Sequence, residues 1–282
     1  MKKFIVTLSA LALSLSAQAR DFSDVNITAQ KAAGQVYMLQ GSGGNIGVLA
    51  TPKGLLMVDD QYAPLAEKIE AALKTLEDKP LKYIVNTHYH GDHTGSNSYF
   101  SHKAPIFAHH NVRNRLKSNE KLTEDALPVV TYDQGVTIHL DNEEVLLTHL
   151  PGGHTDSDTV VYFKNANVLH TGDLFFELGF PYVDTKGGGS VDGYLKNVEH
   201  MIANYPDDVV IIPGHGKLTD KAGLKAFAQM IRDSIKLVKG YLKEGKTEEQ
   251  ILAAGIQPQY KHLSWRFITE ERWLKTLIAA YK

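Results

Sequence analysis

The chain of 282 residues contains no cysteine. It can therefore form no disulfide in an oxidising compartment, offers no thiolate to a metal and holds no cysteine nucleophile, so any metal binding falls to imidazole and carboxylate. Stability has to come from a core, which a chain of this length can bury. An excess of one charge is also missing. There are 30 Lys and Arg against 32 Asp and Glu, a balance with no polybasic footprint for nucleic acid. No segment after the N-terminus approaches the ~20 apolar residues that span a bilayer. A hydrophobic content of 43% is ordinary for a soluble globular protein. Once any signal is removed the protein is expected to be soluble, with a small-molecule substrate and with no nucleic acid and no membrane as partner.

The N-terminus has Lys2 and Lys3, an apolar run from Phe4 to about Leu15, and then Ala17-Gln18-Ala19. A short basic stretch, an apolar stretch too short to span and a small-residue cleavage site describe a secretory signal peptide. The expected organisation is a signal peptide over residues 1–19, then one domain over 20–282 with C-terminal helices from about residue 217. The expected location is periplasmic or secreted.

Apolar and β-branched runs bounded by Gly, Asp or Asn predict strands at Gln35–Leu39, Ile46–Ala50, Leu55–Val58, Tyr83–Val85 and Ile106–Ala108. The same signal recurs at Val136–His139, Val145–His149, Val160–Phe163, Val168–His170 and Val209–Ile212. Helical spacing falls at Leu65–Leu76, Val112–Leu116, Gly193–Ala203, Lys221–Leu242, Glu248–Ala254 and Glu270–Tyr281. Bursts of strands with helices between and after them predict a mixed α/β fold. Gly187-Gly188-Gly189 reads as a mobile loop.

After the strand that ends at Val85 comes Asn86-Thr87-His88-Tyr89-His90-Gly91-Asp92-His93, with three imidazoles and a carboxylate in six residues. Residues two apart in extended chain point the same way, so His88 and His90 can converge on one ion. A turn at Gly91 can redirect Asp92 and His93 to another. Three further candidates follow strands: His154 in Pro151-Gly152-Gly153-His154, Asp173 in Thr171-Gly172-Asp173, and His215 in Pro213-Gly214-His215-Gly216. Singly, each is as well explained by an ordinary turn residue or cap. Together, at the ends of strands where rigid scaffolds carry functional loops, they point to a metal centre.

This pattern resembles the metallo-β-lactamase superfamily, whose signature is a His-x-His-x-Asp-His run followed by a lone His, a lone Asp and a lone His. The resemblance spans Gln35 to Gly216 and implies a four-layer αββα sandwich. It also implies that His88, His90 and His154 hold one zinc, that Asp92, His93 and His215 hold a second, and that Asp173 bridges them. Asp92 and Asp173 are then the catalytic carboxylates, and Asp59, in Val58-Asp59-Asp60, supports the ligand loop from behind. Zinc accepts this donor set, and two ions ~3.5–4 Å apart can share a hydroxide that attacks a carbonyl. The iron-binding branch of the superfamily replaces the second His of the run with Glu, whereas His90 is retained here, so zinc is expected. His102, His109, His110, His139, His149, His170, His200 and His262 lie outside the motif and read as surface or packed residues, with His170 the best placed to support a ligand.

Within the superfamily, Gly153 to Val161 looks like the β-lactamase branch, so β-lactamase or β-lactamase-like amide hydrolysis is expected. The alternative is hydrolysis of another ester, thioester or lactone. That alternative gains from Asp173, which stands where some subclasses have Cys, and from Phe176, which stands where they commonly have a Lys for the antibiotic carboxylate. A non-hydrolytic di-metal or redox protein is the reading from a different class. Tyr89 is expected to pack as an aromatic. Phe175, Phe176, Phe180 and Tyr182 suit either core packing or a pocket wall, and the C-terminal helices with Trp265 and Trp273 suit either a cover over the sandwich or a wall at the entrance.

Overall fold

A computed structural model describes residues 21–282. The expected signal peptide lies outside the described residues. The first sheet contains β1 (Thr28–Ala33), β2 (Val36–Gln40), β3 (Ile46–Thr51), β4 (Gly54–Val58), β5 (Leu81–Val85), β6 (Ile106–His109) and β7 (Val130–Tyr132), side by side in that order. Strands β1 to β4 pair antiparallel, and β4 to β7 pair parallel. The second sheet contains β8 (Gly135–Leu140), β9 (Glu143–His149), β10 (Thr159–Phe163), β11 (Val168–His170), β12 (Val210–Ile212) and β13 (Thr219–Asp220), in the spatial order 13-12-11-10-9-8. Its pairs are antiparallel except β11 with β12.

Helices α1 (Ala66–Leu76), α2 (Gly91–Thr94), α3 (Asn97–Phe100) and α4 (His110–Lys117) connect strands of the first sheet, and α5 (Val191–Asn204) joins β11 to β12. After β13 the chain forms α6 (Lys221–Lys243), α7 (Glu248–Ala254) and α8 (Glu270–Tyr281). The period-two alternation of strand side chains sorts the apolar residues into layers. Leu56 and Val58 of β4 meet Val161 and Phe163 of β10 between the sheets. Leu55 and Met57 face the other way, onto Ile69 and Leu73 of α1. On the far side, Val160, Leu169 and Ile211 pack against Val198 of α5, Ile231 of α6 and Leu277 of α8. The result is the expected four-layer αββα sandwich.

The strand directions place the functional loops together. Strands β4 and β5 run parallel. Strands β9 and β11 are both antiparallel to β10, and β11 is parallel to β12. The C-terminal ends of β4 and β5 meet those of β9, β11 and β12 along one edge of the sandwich, the usual place for a ligand site in sheets with parallel strands. Asn45, buried at the start of β3, fastens the two halves of that edge. Its amide donates to Gly214 O (2.7 Å) and its side-chain nitrogen donates to Pro213 O (2.9 Å) and Gly216 O (3.0 Å).

The backbone bears on two expectations. The turn at Gly91 is a helical one, the first turn of α2, with His93 N and Thr94 N donating to His90 O. The Gly187–Gly189 segment is held rather than mobile: Gly187 is bonded through N to Asp184 Oδ1 and through O to Asp156 N, both at 2.9 Å, and Gly189 N donates to Asp184 O at 2.9 Å.

Candidate metal centre

The seven motif residues converge from loops that are far apart in sequence. His88, His90, His154 and Asp173 form one group of potential ligand atoms and Asp92, His93 and His215 a second, with the atoms of each group within 4.8 Å of one another. In the first group His154 Nε2 lies 2.9 Å from His90 Nδ1 and 3.4 Å from Asp173 Oδ2, which is 3.8 Å from His88 Nε2. In the second, His215 Nε2 lies 3.4 Å from Asp92 Oδ2, and His93 Nε2 lies 3.8 Å from the same oxygen. Donors arranged tetrahedrally around one zinc stand about 3.3–3.6 Å apart, given bonds of about 2.0–2.2 Å. The observed separations bracket that range.

Asp173, a member of the first group, also reaches the second. Its Oδ2 faces His88 and His154, and its Oδ1 stands 3.1 Å from His93 Nε2 and 3.4 Å from His215 Nε2. His88 Nε2, His93 Nε2 and Asp173 Oδ1 are buried and have no hydrogen-bond partner. Buried polar atoms are normally satisfied, so three orphans aimed into one space fit divalent cations in that space.

Four of the imidazoles are also held on the side away from this space. His93 Nδ1 donates to Asp59 Oδ2 at 2.7 Å. His88 Nδ1 donates to Thr87 Oγ1 at 3.0 Å, and that hydroxyl donates in turn to Asp59 Oδ2 at 2.7 Å. His154 Nδ1 donates to the carbonyl of Tyr182 at 2.8 Å, and His90 Nε2 donates to Asp184 Oδ2 at 3.0 Å. These acceptors fix the tautomers, leaving the lone pairs of His88, His93 and His154 on Nε2 and that of His90 on Nδ1, all turned inward. Asp59 has a left-handed backbone (φ 64°), uncommon for a residue with a side chain and most tolerable for Asp or Asn. The amide of Thr87 (2.8 Å to Oδ1) helps hold it there.

Charge divides the two groups. Burial, reinforced by the neighbouring His93, holds His88 well below the usual imidazole range, and burial takes His154 down to about 4. Burial also opposes charge on His93 and His215, yet the carboxylates around them prevail: His93 is raised well above its ordinary value, and Asp173 and Asp92 take His215 up to about 9. Burial pushes the Asp173 carboxyl upward, and the opposing charges of His93 and His215 bring it well below the carboxylate range.

The surroundings separate residues that sequence had treated alike. Phe175 packs into the core on Phe227 (4.9 Å), and Phe180 stacks on Trp273 (6.2 Å). Phe176 instead lies parallel to the His215 ring (5.2 Å, 7°), and Tyr182 stacks on His90 (5.8 Å). Tyr89 packs as expected on the cluster around Val112 and Leu116, and it also donates its hydroxyl to Asp184 and lies beneath the Arg115 guanidinium. His170 is buried beside the site, with Nε2 on Asn45 O (3.1 Å) and Nδ1 accepting from Gly172 N (3.2 Å), and it touches no motif imidazole through a hydrogen bond. Sequence reasoning missed Asp184, Thr87 and Asn45. For Asp184 the one local signal is an acid three residues before Gly187, an Asx-turn pattern that announces a loop and not a partner for His90.

Glycine is required where ligand loops touch. A Cβ on Gly44 would collide with the His93 ring, and one on Gly214 would collide with Asp173 Oδ1.

Residues 39–215 match the model of the metallo-beta-lactamase superfamily. Metallo-beta-lactamase IND-1 of Chryseobacterium indologenes is 26% identical over 169 residues, 59% of this chain and 69% of its own length. A hydroxyacylglutathione hydrolase of Pelagibacter ubique is 34% identical over 111 residues, 38% of this chain and 42% of its own length. Among solved structures, a metallo-beta-lactamase from Pontibacter korlensis superposes with a TM-score of 0.66 over 74% of this chain and all (100%) of that one, at 20% identity, a likeness of fold. With a match that covers the sandwich from β2 to the last motif histidine, the chain belongs to the metallo-beta-lactamase superfamily and is a metallo-hydrolase of that group.

Proposed function

We propose that the mature chain, residues 20–282 as one domain, is an exported hydrolase that uses two zinc ions. His88, His90 and His154 hold one, Asp92, His93 and His215 hold the other, and Asp173 lies between them. The observation that carries this reading is the division of the Asp173 carboxylate, with one oxygen toward each group of histidines. Imidazole and carboxylate donors without thiolate, with His rather than Glu at position 90, suit zinc.

Bound zinc supplies Lewis acidity and a water nucleophile at neutral pH. The chain's own residues supply the geometry. Asp59, Thr87, Asp184 and the Tyr182 carbonyl hold the four imidazoles so that no reorientation is needed when substrate arrives. The carboxylate of Asp92, partly exposed at 23%, takes the proton that the attacking water gives up and passes it to the leaving group. Phe176, stacked on His215, keeps bulk water from that ring.

The bond cleaved joins a carbonyl to a heteroatom. The likeness to IND-1 supports a β-lactam amide. An ester, thioester or lactone is the reading we favour, because Phe176 stands at the position where a carboxylate-binding Lys would be expected, and a hydroxyacylglutathione hydrolase is also among the relatives. The test is metal analysis together with turnover of a chromogenic cephalosporin, a lactone and a thioester. The expected result is about two zinc per chain and chelator-sensitive hydrolysis of the thioester or lactone. Iron with a visible absorption band would overturn the reading, as would a fully zinc-loaded protein inert toward all three. Both outcomes would favour a non-hydrolytic metal or redox role.

A further inference from the structure

Beyond the end of the superfamily match at residue 215, the chain returns to the metal centre. The segment before α8 is laced to the loop after Asp173: Phe180 N donates to Leu263 O (3.0 Å), and Trp265 Nε1 donates to Phe180 O (2.9 Å). This brings Trp265 to 5.9 Å from Phe176 and 6.4 Å from His215, centroid to centroid. Phe267 follows, 5.7 Å from Trp265 and 5.2 Å from Tyr182, which itself stacks on His90. One continuous aromatic wall therefore runs from His90 of the first group to His215 of the second.

The wall is graded. Phe176 is buried, Trp265 and Tyr182 are half-buried, and Phe267 is 46% exposed. Over its outer end lies Arg272, with the guanidinium 4.2 Å from the Phe267 ring centre and 5.1 Å from that of Tyr182. Arg272 donates to Phe267 O at 2.9 Å, and no carboxylate among the described residues lies within 4.0 Å of it. Anchoring of α8 does not call for these outer residues. Trp273, Leu274, Leu277 and Ile278 already bury that helix in the core.

We propose that Tyr182, Trp265, Phe267 and Arg272 form the subsite that selects the substrate, and that the carbonyl compound cleaved carries a ring-sized apolar arm ending in an anionic group. The inference rests on the hydrolase reading above. Aromatic faces bind a flat apolar group at little entropic cost. A guanidinium fixed over two rings, weakly hydrated and with donors to spare, is prepared for a carboxylate. The arm lies along the wall, its anion meets Arg272, and the carbonyl is left beside the motif histidines.

Binding of 4-phenylbutyrate, 4-phenylbutanol and butyrate to the zinc-loaded full chain tests this without turnover, by calorimetry or tryptophan emission. The expected order has 4-phenylbutyrate tighter than butyrate by about tenfold, from burying the ring. It is tighter than 4-phenylbutanol by about fivefold, from a partly screened charge-assisted contact. Phe267→Ala removes most of the first preference and Arg272→Gln most of the second. If the preference for the anion survives Arg272→Gln, the carboxylate is on the metal centre and the proposal fails. If Phe267→Ala weakens all three ligands alike, the wall is only structural and the proposal fails again. Failure of the hydrolase reading would show separately, as these selectivities intact in a protein that turns over no substrate.

Discussion

The two groups of ligands face one another across Asp173, yet they are built from different electrostatic material. Apart from Asp173, which faces both, the first is made of nitrogen donors, and burial favours the neutral form of His88 and His154, whose lone pairs are then free for a cation. The second contains a carboxylate and two histidines, and without metal the surrounding acids keep protons on both His93 and His215. Each group has buried and open members: Asp92 and His215 are exposed by 23% and 15% beside a fully buried His93, and His90 by 18% beside His88 and His154 at 1% and 0%. The first group is thus poised to accept a cation directly, whereas the second exchanges protons for one.

The most damaging way to break this contrast is to remove what the groups share. Asp173→Ala is expected to lower zinc below two per chain and to reduce hydrolysis by on the order of 10²–10³, the usual effect of deleting one well-placed electrostatic group. Elemental analysis alongside rate measurement checks this, and normal activity would show that the bridge is misplaced. Next come the supports. Asp184→Asn is expected to weaken the first ion, through His90, and Asp59→Asn mainly the second, through His93, each by about 10–100-fold in affinity. Chelator competition on the two variants reads the outcome, and identical profiles would erase the distinction between the groups.

The smallest effect lies in pH. In the metal-free chain His215 has a folded value of about 9, above the 6.5 of an unperturbed imidazole. A raised value means that its protonated form contributes stability fully below pH 6.5, and that this contribution is lost as pH rises through 9. The thermal stability of the chelated protein relative to its His215→Gln variant should therefore shrink from pH 6.5 to 9. Over the same window zinc occupancy of the second position should rise while that of the first stays level. An equal rise at both would remove the electrostatic basis of the comparison.

The sandwich was legible because β-branched runs ending in Gly or Asp mark strands, and the ten strands so expected all form. Those missed carry no such signal. Strand β1 reads Thr-Ala-Gln-Lys-Ala-Ala and is largely exposed, so it exists through pairing with β2 rather than through its own pattern, while β7 has three residues and β13 two. The convergence of the motif residues was legible for a related reason: each follows a strand whose end the sheet fixes. The supports were not. Asp184 is 94 residues from the histidine it holds, and no periodicity encodes such a pairing. The aromatics after Asp173 were ambiguous because Phe175 and Phe176 are neighbours whose side chains diverge, one into the core and one onto His215. Trp265 and Trp273 split in the same way, the first walling the site and the second covering the sandwich.

Asp59 carries a further consequence. One of its oxygens takes hydrogen bonds from both His93 and the Thr87 hydroxyl that steadies His88. Asp173 faces the same two histidines from the opposite side, 3.8 Å from His88 Nε2 and 3.1 Å from His93 Nε2. Metal bound between them would make His88 and His93 links in a closed ring with a carboxylate at each pole. In such a ring a change at either pole would reach both histidines, and lesions at the two poles should be less than additive, because either one alone already opens the ring.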